Sequence, residues 1–442
     1  MSSRFDRRKL LAGAAGVGAA AALSAKASTT FAAPAVIQSG PLEVLFWSSF
    51  SGVNAETLTA LVTEFNESQT DIFINDQYQG SYEETAQKIT AAIPANQAPD
   101  MSILSEIWWF RFFAAQALAP LNDVIAAASD FNRDDFVDSL INEGFRNDTQ
   151  WWIPFARSTP IFYYDKTALA EVGLTESPKT WDEYTAVAQD LVRKDGDTIT
   201  RSAFAHLTAA GYLAWPFQGV VWQWGGRYSD DEFNVMINQP EAVAAGDFYK
   251  NSVADGWAVM SNDAVADFNA GLTTAVFAST GSLGGIAQNA TIDFGTGFFP
   301  EGPAGFGCPT GGSGISFFKS ASEEKIAGGF EFVKFATSTE KTSFWAQNTG
   351  YMPVRKSARD SESMQAFFAD NPNFKVAVDQ LEFTKPQDPA RIYIPNGDQI
   401  IGGGLERIMI EQQDTQSVFD DIALELEDEA QPVLEQLAEI GG

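Results

Sequence analysis

Three polar residues in succession, Arg157, Ser158 and Thr159, interrupt two apolar, aromatic-rich segments that the sequence predicts as strands, Trp151–Phe155 and Ile161–Tyr164. A simple buried strand would not carry them in mid-run, because unpaired polar groups cost free energy once they leave water. One interpretation is that the chain crosses here from one lobe to another and exposes the three side chains to a solvated cleft. The other is an ordinary surface loop between two strands. The first predicts a binding site at the crossing, and the second predicts none.

Most catalytic arrangements are excluded by the scarcity of two residue types. His206 is the only histidine and Cys308 the only cysteine, so zinc sites of these ligands cannot be built, and any Ser-His-Asp triad or Cys-His pair would depend on these single residues. The sequence also has no Walker A loop and no GxGxxG motif after a strand. Aspartate and glutamate are abundant, so a two-carboxylate glycosidase remains open. Binding is therefore favoured over catalysis, with a secreted carbohydrate-active enzyme as the alternative.

The first third of the chain predicts the elements that would position such a site. Strands are expected at Leu42–Trp47, Asp71–Gln77 and Met101–Ser105, with helices between them. This order favours an open α/β lobe with a mainly parallel sheet, and ligands of such sheets bind beyond the carboxyl ends of the strands. Ser81 is equally suited to cap a helix, and Trp47 to lie in the core. The candidates at the three strand ends are Trp47 to Ser49, Ser81 to Glu83, and Ser105 to Glu106.

Later segments add candidates and further crossings. Trp215–Trp224 holds three tryptophans, which serve either as core or as stacking faces for sugar or choline-like groups. Ser279–Ser282 follows a predicted strand and suits either an anion or a plain turn. Gly311–Gly314 and Thr349–Pro353 predict a second and a third crossing. The acidic segment Val418–Ile440 has apolar residues at helical spacing and predicts a docked closing helix.

The first 35 residues predict an export signal rather than part of the fold. A basic start with adjacent arginines, Arg7 and Arg8, precedes an Ala/Gly-rich apolar segment, which resembles a twin-arginine signal. Asp6 and Leu10 depart from that motif, and Ala25-Lys26-Ala27 is one of several suitable cleavage sites. The apolar segment is too short for a retained membrane helix. We therefore expect export by the twin-arginine route.

Length and charge bound the remaining possibilities. A chain of 442 residues is too long for one compact core and predicts two or three domains. Removal of residues 1–27 takes away five basic residues and one acidic residue, which moves the formal charge from −30 to −34. Such a surface repels phosphate backbones and anionic lipid, which argues against nucleic-acid or membrane-surface partners. The single cysteine excludes an internal disulfide and a lipid-anchored N-terminus, so a free soluble protein is expected.

The ordered motifs resemble the extracellular solute-binding proteins of ABC importers, family 1, over nearly the whole mature chain. PKTWDEY at 178–184 and the pattern from Phe268 to Phe277 are typical of the whole family. Other motifs are closer to its glycerol-3-phosphate branch, and they are QGSYEE (79–84), STPIFYY (158–164), ASTGSL (278–283) and TGYMPVR (349–355).

The resemblance implies an α/β fold with two lobes, of the type II, maltose-binding-protein-like class. The lobes would be joined by multiple hinge crossings and would close on a ligand held between them. The first lobe would comprise residues 42–157 and 314–352. The second lobe would comprise residues 159–312 and 354–440.

The same resemblance implies a set of ligand contacts, carried over position by position. Ser48 stands where relatives have histidine, and Arg157 replaces a small polar residue. Arg157 and Arg391 together suit an anionic head group, since a guanidinium binds phosphate or carboxylate bidentately. If they pair instead with Glu83 or Glu106, a neutral sugar or polyol fits equally. The implied ligand-binding residues are Trp47, Tyr82, Glu83, Glu106, Arg157, Ser158, Trp215, Ser279, Ser282, Gly312, Tyr351 and Arg391.

The function implied is that of a periplasmic binding component of an ABC importer, which captures glycerol-3-phosphate or a glycerophosphodiester. Its partners would be a small-molecule ligand, either a phosphorylated polyol or a sugar, and ABC permease transmembrane subunits with ATPase subunits. No cofactor, metal, nucleic acid or catalysis is implied, and a monomer is expected. A sugar- or oligosaccharide-binding protein of the same family is the alternative. The sequence leaves open whether Trp108–Phe113 lines the cleft or lies in the core.

Overall fold

The computed structural model describes residues 40–440, and the predicted export signal lies outside that range. No helix among these residues has both the length and the apolarity needed to span a bilayer. The strands are β1 (Leu42–Ser48), β2 (Ile72–Tyr78), β3 (Met101–Ser105), β4 (Phe145–Arg146), β5 (Thr149–Gln150), β6 (Ile153–Ser158), β7 (Pro160–Asp165), β8 (Arg193–Asp195), β9 (Thr198–Leu207), β10 (Ala258–Ser261), β11 (Thr273–Ser279), β12 (Phe294–Gly297) and β13 (Gly311–Phe317).

Helices follow most of these strands and cover the sheets. Short 3-10 turns add to them, including one at Thr280–Ser282. The α-helices are α1 (Gly52–Ser68), α2 (Tyr82–Ala92), α3 (Glu106–Ala114), α4 (Asn122–Ala127), α5 (Asp138–Ile141), α6 (Lys166–Glu171), α7 (Trp181–Leu191), α8 (Ala210–Gln223), α9 (Pro240–Ala254), α10 (Ala264–Asn269), α11 (Leu283–Asn289), α12 (Glu323–Ala336), α13 (Thr339–Thr349), α14 (Lys356–Arg359), α15 (Glu362–Asp370), α16 (Pro372–Gln380), α17 (Pro389–Ile392), α18 (Gly397–Met409) and α19 (Thr415–Glu439).

The first sheet has five strands in the order β2-β1-β3-β13-β6. β1 pairs in parallel with β2 and β3, as the predicted β-α-β-α-β order requires, and β13 pairs antiparallel with β3 and β6. Ile103 of β3 packs in one core with Leu61 of α1 and Phe330 of α12. The next residue, Leu104, packs in another core with Ile89 of α2. Successive residues point to opposite faces of a strand, so both faces of this sheet are covered by helices.

The second sheet follows the order β10-β9-β11-β7-β12, with β8 paired to β9 outside this path. β9 pairs in parallel with β10 and β11, and β7 pairs antiparallel with β11 and β12. One core joins Phe204 of β9 to Phe217 of α8, Tyr249 of α9, Leu405 of α18 and Phe419 of α19. The acidic C-terminal segment is therefore a docked amphipathic helix, as its apolar spacing predicts.

Two parts of the predicted second lobe also contact the first sheet and its helices. Val433 and Leu437, near the end of α19, pack in the same core as Trp109 of α3. The Lys356 ammonium of α14 pairs with the Asp138 carboxylate of α5 at 3.0 Å. The lobe boundaries expected from the sequence stay a prediction.

The predicted first crossing is a single residue, Thr159, which lies between β6 of the first sheet and β7 of the second. The alternative of a surface loop is wrong, because residues 152–165 are all buried. The Thr159 hydroxyl donates to the Pro309 carbonyl at 3.0 Å and lies 2.9 Å from Cys308 Sγ. It also accepts a hydrogen bond from Gln380 Nε2 at 3.1 Å. These bonds satisfy the buried hydroxyl and join three separate passages of the chain.

Arg157 does not face the cleft, contrary to the expectation from the sequence. β6 continues through Ser158, and the Arg157 side chain is fully buried within it. Its guanidinium lies 4.8 Å from the ring centre of Trp152, and its Nη2 donates to Glu143 Oε2 at 2.5 Å. A buried cation needs a partner, and Glu143 supplies one from outside the strand. Burial raises the pKa of Glu143 to about 7, although Arg157 attracts its ionised form.

Replacement of Gly312 should destabilise the protein. Gly312 in β13 has φ of +99°, and a Cβ there would lie 2.2 Å from the Ala156 carbonyl oxygen. We expect Gly312→Ala to lower the free energy of unfolding by more than about 1 kcal/mol, measured by urea denaturation without ligand. Gly403→Ala in α18 is the control, because a Cβ at Gly403 meets no atom within 4 Å and alanine favours a helix. Equal losses in the two variants would contradict this account.

The Glu143 carboxyl should make stability depend on pH. Its folded pKa of about 7 lies above the ordinary value of 4.5, so the folded state binds more protons between these values. The contribution of Glu143 to stability is therefore lost as the pH rises through about 7, whereas glutamine does not titrate. We expect the free energy of unfolding of Glu143→Gln, relative to wild type, to rise from about pH 5 to about pH 8 in urea titrations. A relative value that stays constant over this range would show that Arg157 keeps Glu143 ionised throughout.

Candidate ligand-binding site

A cavity of about 560 Å³ collects residues from both sheets. Most of them lie at or just after the carboxyl ends of β2, β3 and β6 in the first sheet and of β9 and β11 in the second, where α/β sheets bind ligands. The contacts implied by the sequence that line this cavity are Tyr82, Glu83, Glu106, Ser158, Trp215, Ser279, Gly312, Tyr351 and Arg391.

Three of the implied contacts do not line the cavity. Arg157 is buried beneath the crossing and pairs with Glu143. Trp47 packs against the core that contains α2 and α3. Ser282 is half-buried and directly precedes α11. The structure therefore gives none of these three a place in the cavity wall.

The first wall includes two tyrosines, Tyr351, which is buried, and Tyr82, which is half-buried. The Tyr82 hydroxyl donates to Ser313 Oγ at 3.0 Å, and the Tyr351 ring stacks on Trp345 with ring centres 5.8 Å apart. Burial raises the pKa of Tyr82 to about 12 and raises the pKa of Tyr351 well above its ordinary value. Both phenols are therefore uncharged at neutral pH, so this wall presents hydroxyl groups without adding charge.

The second wall comes from the first turns of α8, where the sequence singled out Trp215 but not Tyr212. The Tyr212 hydroxyl accepts a hydrogen bond from the Ser279 backbone N–H at 2.9 Å, and this bond orients Ser279. Its ring contacts Trp215 edge to face, with ring centres 5.6 Å apart, and the Trp215 indole N–H donates to the Thr310 carbonyl at 3.0 Å. Tyr212 follows the end of β9, so the strand-end rule that selected Tyr82 would have found it.

The aromatic segment of α3 divides between cavity and core. Trp108 lines the cavity, whereas Trp109, Phe110, Phe112 and Phe113 are buried in the core. Helical geometry explains the division, because neighbouring residues on a helix point in different directions. The sequence left open whether Trp108–Phe113 lines the cleft or lies in the core, and the structure places Trp108 in the cavity wall and these four aromatic residues in the core.

Arg391 is the one arginine in the cavity wall, and its side chain contacts residues that follow strands of both sheets. Its Nη2 donates to the Gly211 carbonyl at 3.0 Å, and its Nη1 contacts Gln387 Oε1. The same Nη1 lies 3.5 Å from Glu106 Oε1, which also accepts from Gln387 Nε2 at 3.0 Å. The Nε of Arg391 is buried and has no hydrogen-bond partner among the described residues. Arg391 therefore keeps one unpaired charged donor within the cavity wall.

The short helix α17, which carries Arg391, is held in place by the buried carboxylate of Asp388. Asp388 accepts from Gln218 Nε2 and the Tyr228 backbone N–H, each at 2.8 Å. It also pairs with the Arg227 guanidinium at 2.8 Å. Asp388 directly precedes α17, so these bonds set the position of α17 and of the Arg391 side chain. Sequence spacing gave no sign of this support.

Negative groups outnumber positive ones in the cavity wall. Glu106 is compensated by Arg391, and Asp398 pairs with Arg111 at 3.3 Å. Glu83 forms no ion pair within residues 40–440 and accepts a hydrogen bond from Gln87 Nε2 at 3.0 Å. The acidic and basic residues that line the cavity are Glu83, Glu106, Asp398 and Arg391.

Comparisons with known proteins agree with this architecture. The chain is 27% identical over 362 residues to the sn-glycerol-3-phosphate-binding periplasmic protein UgpB of Yersinia pestis, which covers 78% of this chain and 82% of that protein. It superposes with a TM-score of 0.83 on UgpB from Mycobacterium tuberculosis in complex with glycerophosphocholine, at 36% identity over 90% of this chain and all of that one.

The wider fold class is also confirmed. The maltose-bound MalE3 of T. maritima superposes with a TM-score of 0.74 at 22% identity, covering 87% of this chain and 99% of that one. At that identity the likeness concerns the fold alone, and it is the two-lobed, maltose-binding-protein-like α/β fold that the sequence predicts. The family model of the bacterial extracellular solute-binding proteins matches residues 60–376. The chain therefore belongs to the bacterial extracellular solute-binding proteins.

Proposed function

We propose that this protein captures a glycerophosphodiester in the cavity between its two sheets, as the substrate-binding component of an ABC importer. Arg391 carries the proposal, because it lines the cavity and keeps a buried Nε–H without an acceptor. A phosphate oxygen would supply that acceptor in a charge-assisted hydrogen bond. The names of the relatives support this chemistry, since one binds sn-glycerol-3-phosphate and another was solved with glycerophosphocholine.

The hydroxyl groups around Arg391 suit the glycerol part of such a ligand. Ser158 and Ser279 approach from the two sheets, and Tyr82 and Tyr351 add phenols. Because the pKa of Tyr82 is raised to about 12 by burial, its phenol stays neutral and does not repel a phosphate. A polyol exchanges its water contacts for hydrogen bonds with these groups, so its transfer into the cavity leaves few polar atoms unpaired.

The charge of the cavity favours a phosphodiester with a cationic head group over the dianionic glycerol-3-phosphate. Arg391 already faces Glu106, so a second negative charge on the phosphate would find no further cation in the wall. Glu83 forms no ion pair within residues 40–440, and Tyr212 supplies an aromatic face in the same cavity. The Trp108 ring also lines the cavity, but the Arg111 guanidinium already lies 4.5 Å from its centre. Carboxylates and aromatic faces both attract a quaternary ammonium group. A zwitterionic ligand would thus satisfy both kinds of charge.

A sugar or oligosaccharide is the second candidate, favoured by one observation. Glu106 lies within 3.5 Å of Arg391, so the guanidinium is partly compensated before any ligand enters. Trp215 and Tyr212 then offer faces on which a neutral sugar ring can stack. In that case Arg391 would act mainly as a hydrogen-bond donor, and its charge would contribute little to affinity.

The remaining parts of the proposal concern transport. The protein would act as a monomer in the periplasm, exported by the twin-arginine route, and would deliver its ligand to permease subunits powered by ATPase subunits. The two lobes would close on the ligand around crossings near Thr159, Thr310 and Tyr351. We propose no catalysis, so the ligand should be recovered unchanged after prolonged incubation.

A thermal-shift panel tests the ligand class. A ligand that binds only the folded protein stabilises it by about 2.7 kcal/mol at a hundredfold excess over its Kd. We expect the melting temperature to rise most with glycerophosphocholine, less with glycerol-3-phosphate, and not with maltose or maltotriose. If only the sugars stabilise the protein, the ligand is a sugar or oligosaccharide and the phosphodiester proposal is wrong. Release of a product from the stabilising ligand would show that the protein is an enzyme.

Removal of the Arg391 charge tests the phosphate contact. Arg391→Gln should weaken the binding free energy of glycerophosphocholine by on the order of 2 kcal/mol, because a charge-assisted hydrogen bond is lost. Isothermal titration calorimetry measures the change, and the melting temperature without ligand reports whether the variant is folded. Arg407→Gln is the control, since Arg407 is partly exposed and pairs with Asp421 outside the cavity. Unchanged affinity in a folded Arg391→Gln protein would mean that the phosphate lies elsewhere.

A further inference from the structure

A second cavity, of about 620 Å³, shares no lining residue with the ligand cavity. It lies on the helical side of the second sheet, where α7, the end of α8 and α9 meet. Phe248 is at the centre of its aromatic wall. Ring centres of Trp181, Trp224 and Trp257 lie 4.9, 4.7 and 6.2 Å from that of Phe248. Trp224 and Phe248 are half-buried, so their rings are accessible from the cavity.

Three carboxylates complete the wall. Asp182, Asp255 and Glu301 line the cavity, and none of their carboxylates forms an ion pair or accepts a hydrogen bond in the part of the chain that the structure describes. No lysine, arginine or histidine lines it. In the ligand cavity, by contrast, two of the three carboxylates are already paired with arginines. The second cavity therefore concentrates uncompensated negative charge beside aromatic faces.

The carboxylates are held by separate structural elements. Asp182 is in the first turn of α7, and Asp255 directly follows α9. Glu301 is fixed through its backbone, because its carbonyl accepts the Trp181 N–H at 2.9 Å and its N–H donates to the Lys179 carbonyl at 2.7 Å. The Lys179 side chain is exposed and does not line the cavity. The fold thus places three exposed acidic residues in the wall of one aromatic cavity, and no cationic residue lines that wall.

We propose that this second cavity binds a small organic cation that carries a quaternary ammonium group. Such a group combines a positive charge with an apolar surface, so it gains both from aromatic faces and from nearby carboxylates. A metal ion would need converging oxygen ligands, and no group of three or more His, Cys, Asp or Glu residues with that geometry occurs among the described residues. An anion would be repelled by all three carboxylates. The volume is in the range of known small-molecule sites.

Calorimetric titration of the mature chain with tetramethylammonium chloride, at constant ionic strength, tests the proposal. We expect binding that is roughly tenfold weaker in the double variant Asp255→Asn/Glu301→Gln, which keeps the shape of the cavity and removes two charges. Asp247→Asn, an exposed carboxylate of α9 outside the cavity, is the control and should change the affinity less than about twofold. Choline should bind in the same way, and its uncharged isostere 3,3-dimethylbutan-1-ol should not.

The ligand cavity is the competing location, and one more variant separates the two. Glu83→Gln removes the unpaired carboxylate of the ligand cavity and leaves the second cavity intact. If Glu83→Gln weakens tetramethylammonium binding and the double variant does not, the cation binds in the ligand cavity and this proposal is overturned, while the proposed function stands. Absence of binding up to about 10 mM, where even a millimolar site is occupied, would also overturn it. If Asp247→Asn weakens tetramethylammonium binding as much as the double variant does, the loss reflects the net charge of the protein and not the second cavity, and the proposal is overturned.

Discussion

Thr159 is the one residue between β6 of the first sheet and β7 of the second, and its hydroxyl is hydrogen-bonded to Pro309 and Gln380. The cavity is built directly on this junction, because Ser158 precedes Thr159 and pairs in the sheet with Gly311. The polar interruption that the sequence displays is explained by these bonds, which allow a polar residue to be buried between two strands.

The charge of the whole protein limits what the cavity can hold. With a formal charge of −30 for the full chain, the surface repels dianions at distances comparable to the Debye length of about 8 Å. Capture of a phosphate then depends on local compensation, and Arg391 is the group in the cavity wall that supplies it. Glu83 acts in the opposite sense and attracts cations. A ligand with both charges would avoid the long-range repulsion and satisfy both residues, and this supports the proposal of a phosphodiester with a cationic head group.

The sequence predicted the first sheet closely, because β3 is a short apolar run between helical patterns and its bounds are Met101 and Ser105. It failed at Arg157, since the burial of an arginine depends on Glu143, which lies fourteen residues earlier and carries no local sign of pairing. Tyr212 was missed because the sequence analysis predicted no strand at residues 198–207, so the rule that selects strand ends was not applied there. Single-residue roles of this kind depend on tertiary packing, whereas strand and helix order depends on periodicity within the chain.

The central claim is that Arg391 and Glu83 receive the two charged ends of one ligand. A crystal structure of the protein with glycerophosphocholine tests it most directly. The account predicts a phosphate oxygen within about 3.2 Å of Arg391 Nε and the ammonium group on the side of the cavity where Glu83 and Trp108 lie. A phosphate placed away from Arg391, or a retained sugar in that cavity in place of the added ligand, would contradict it.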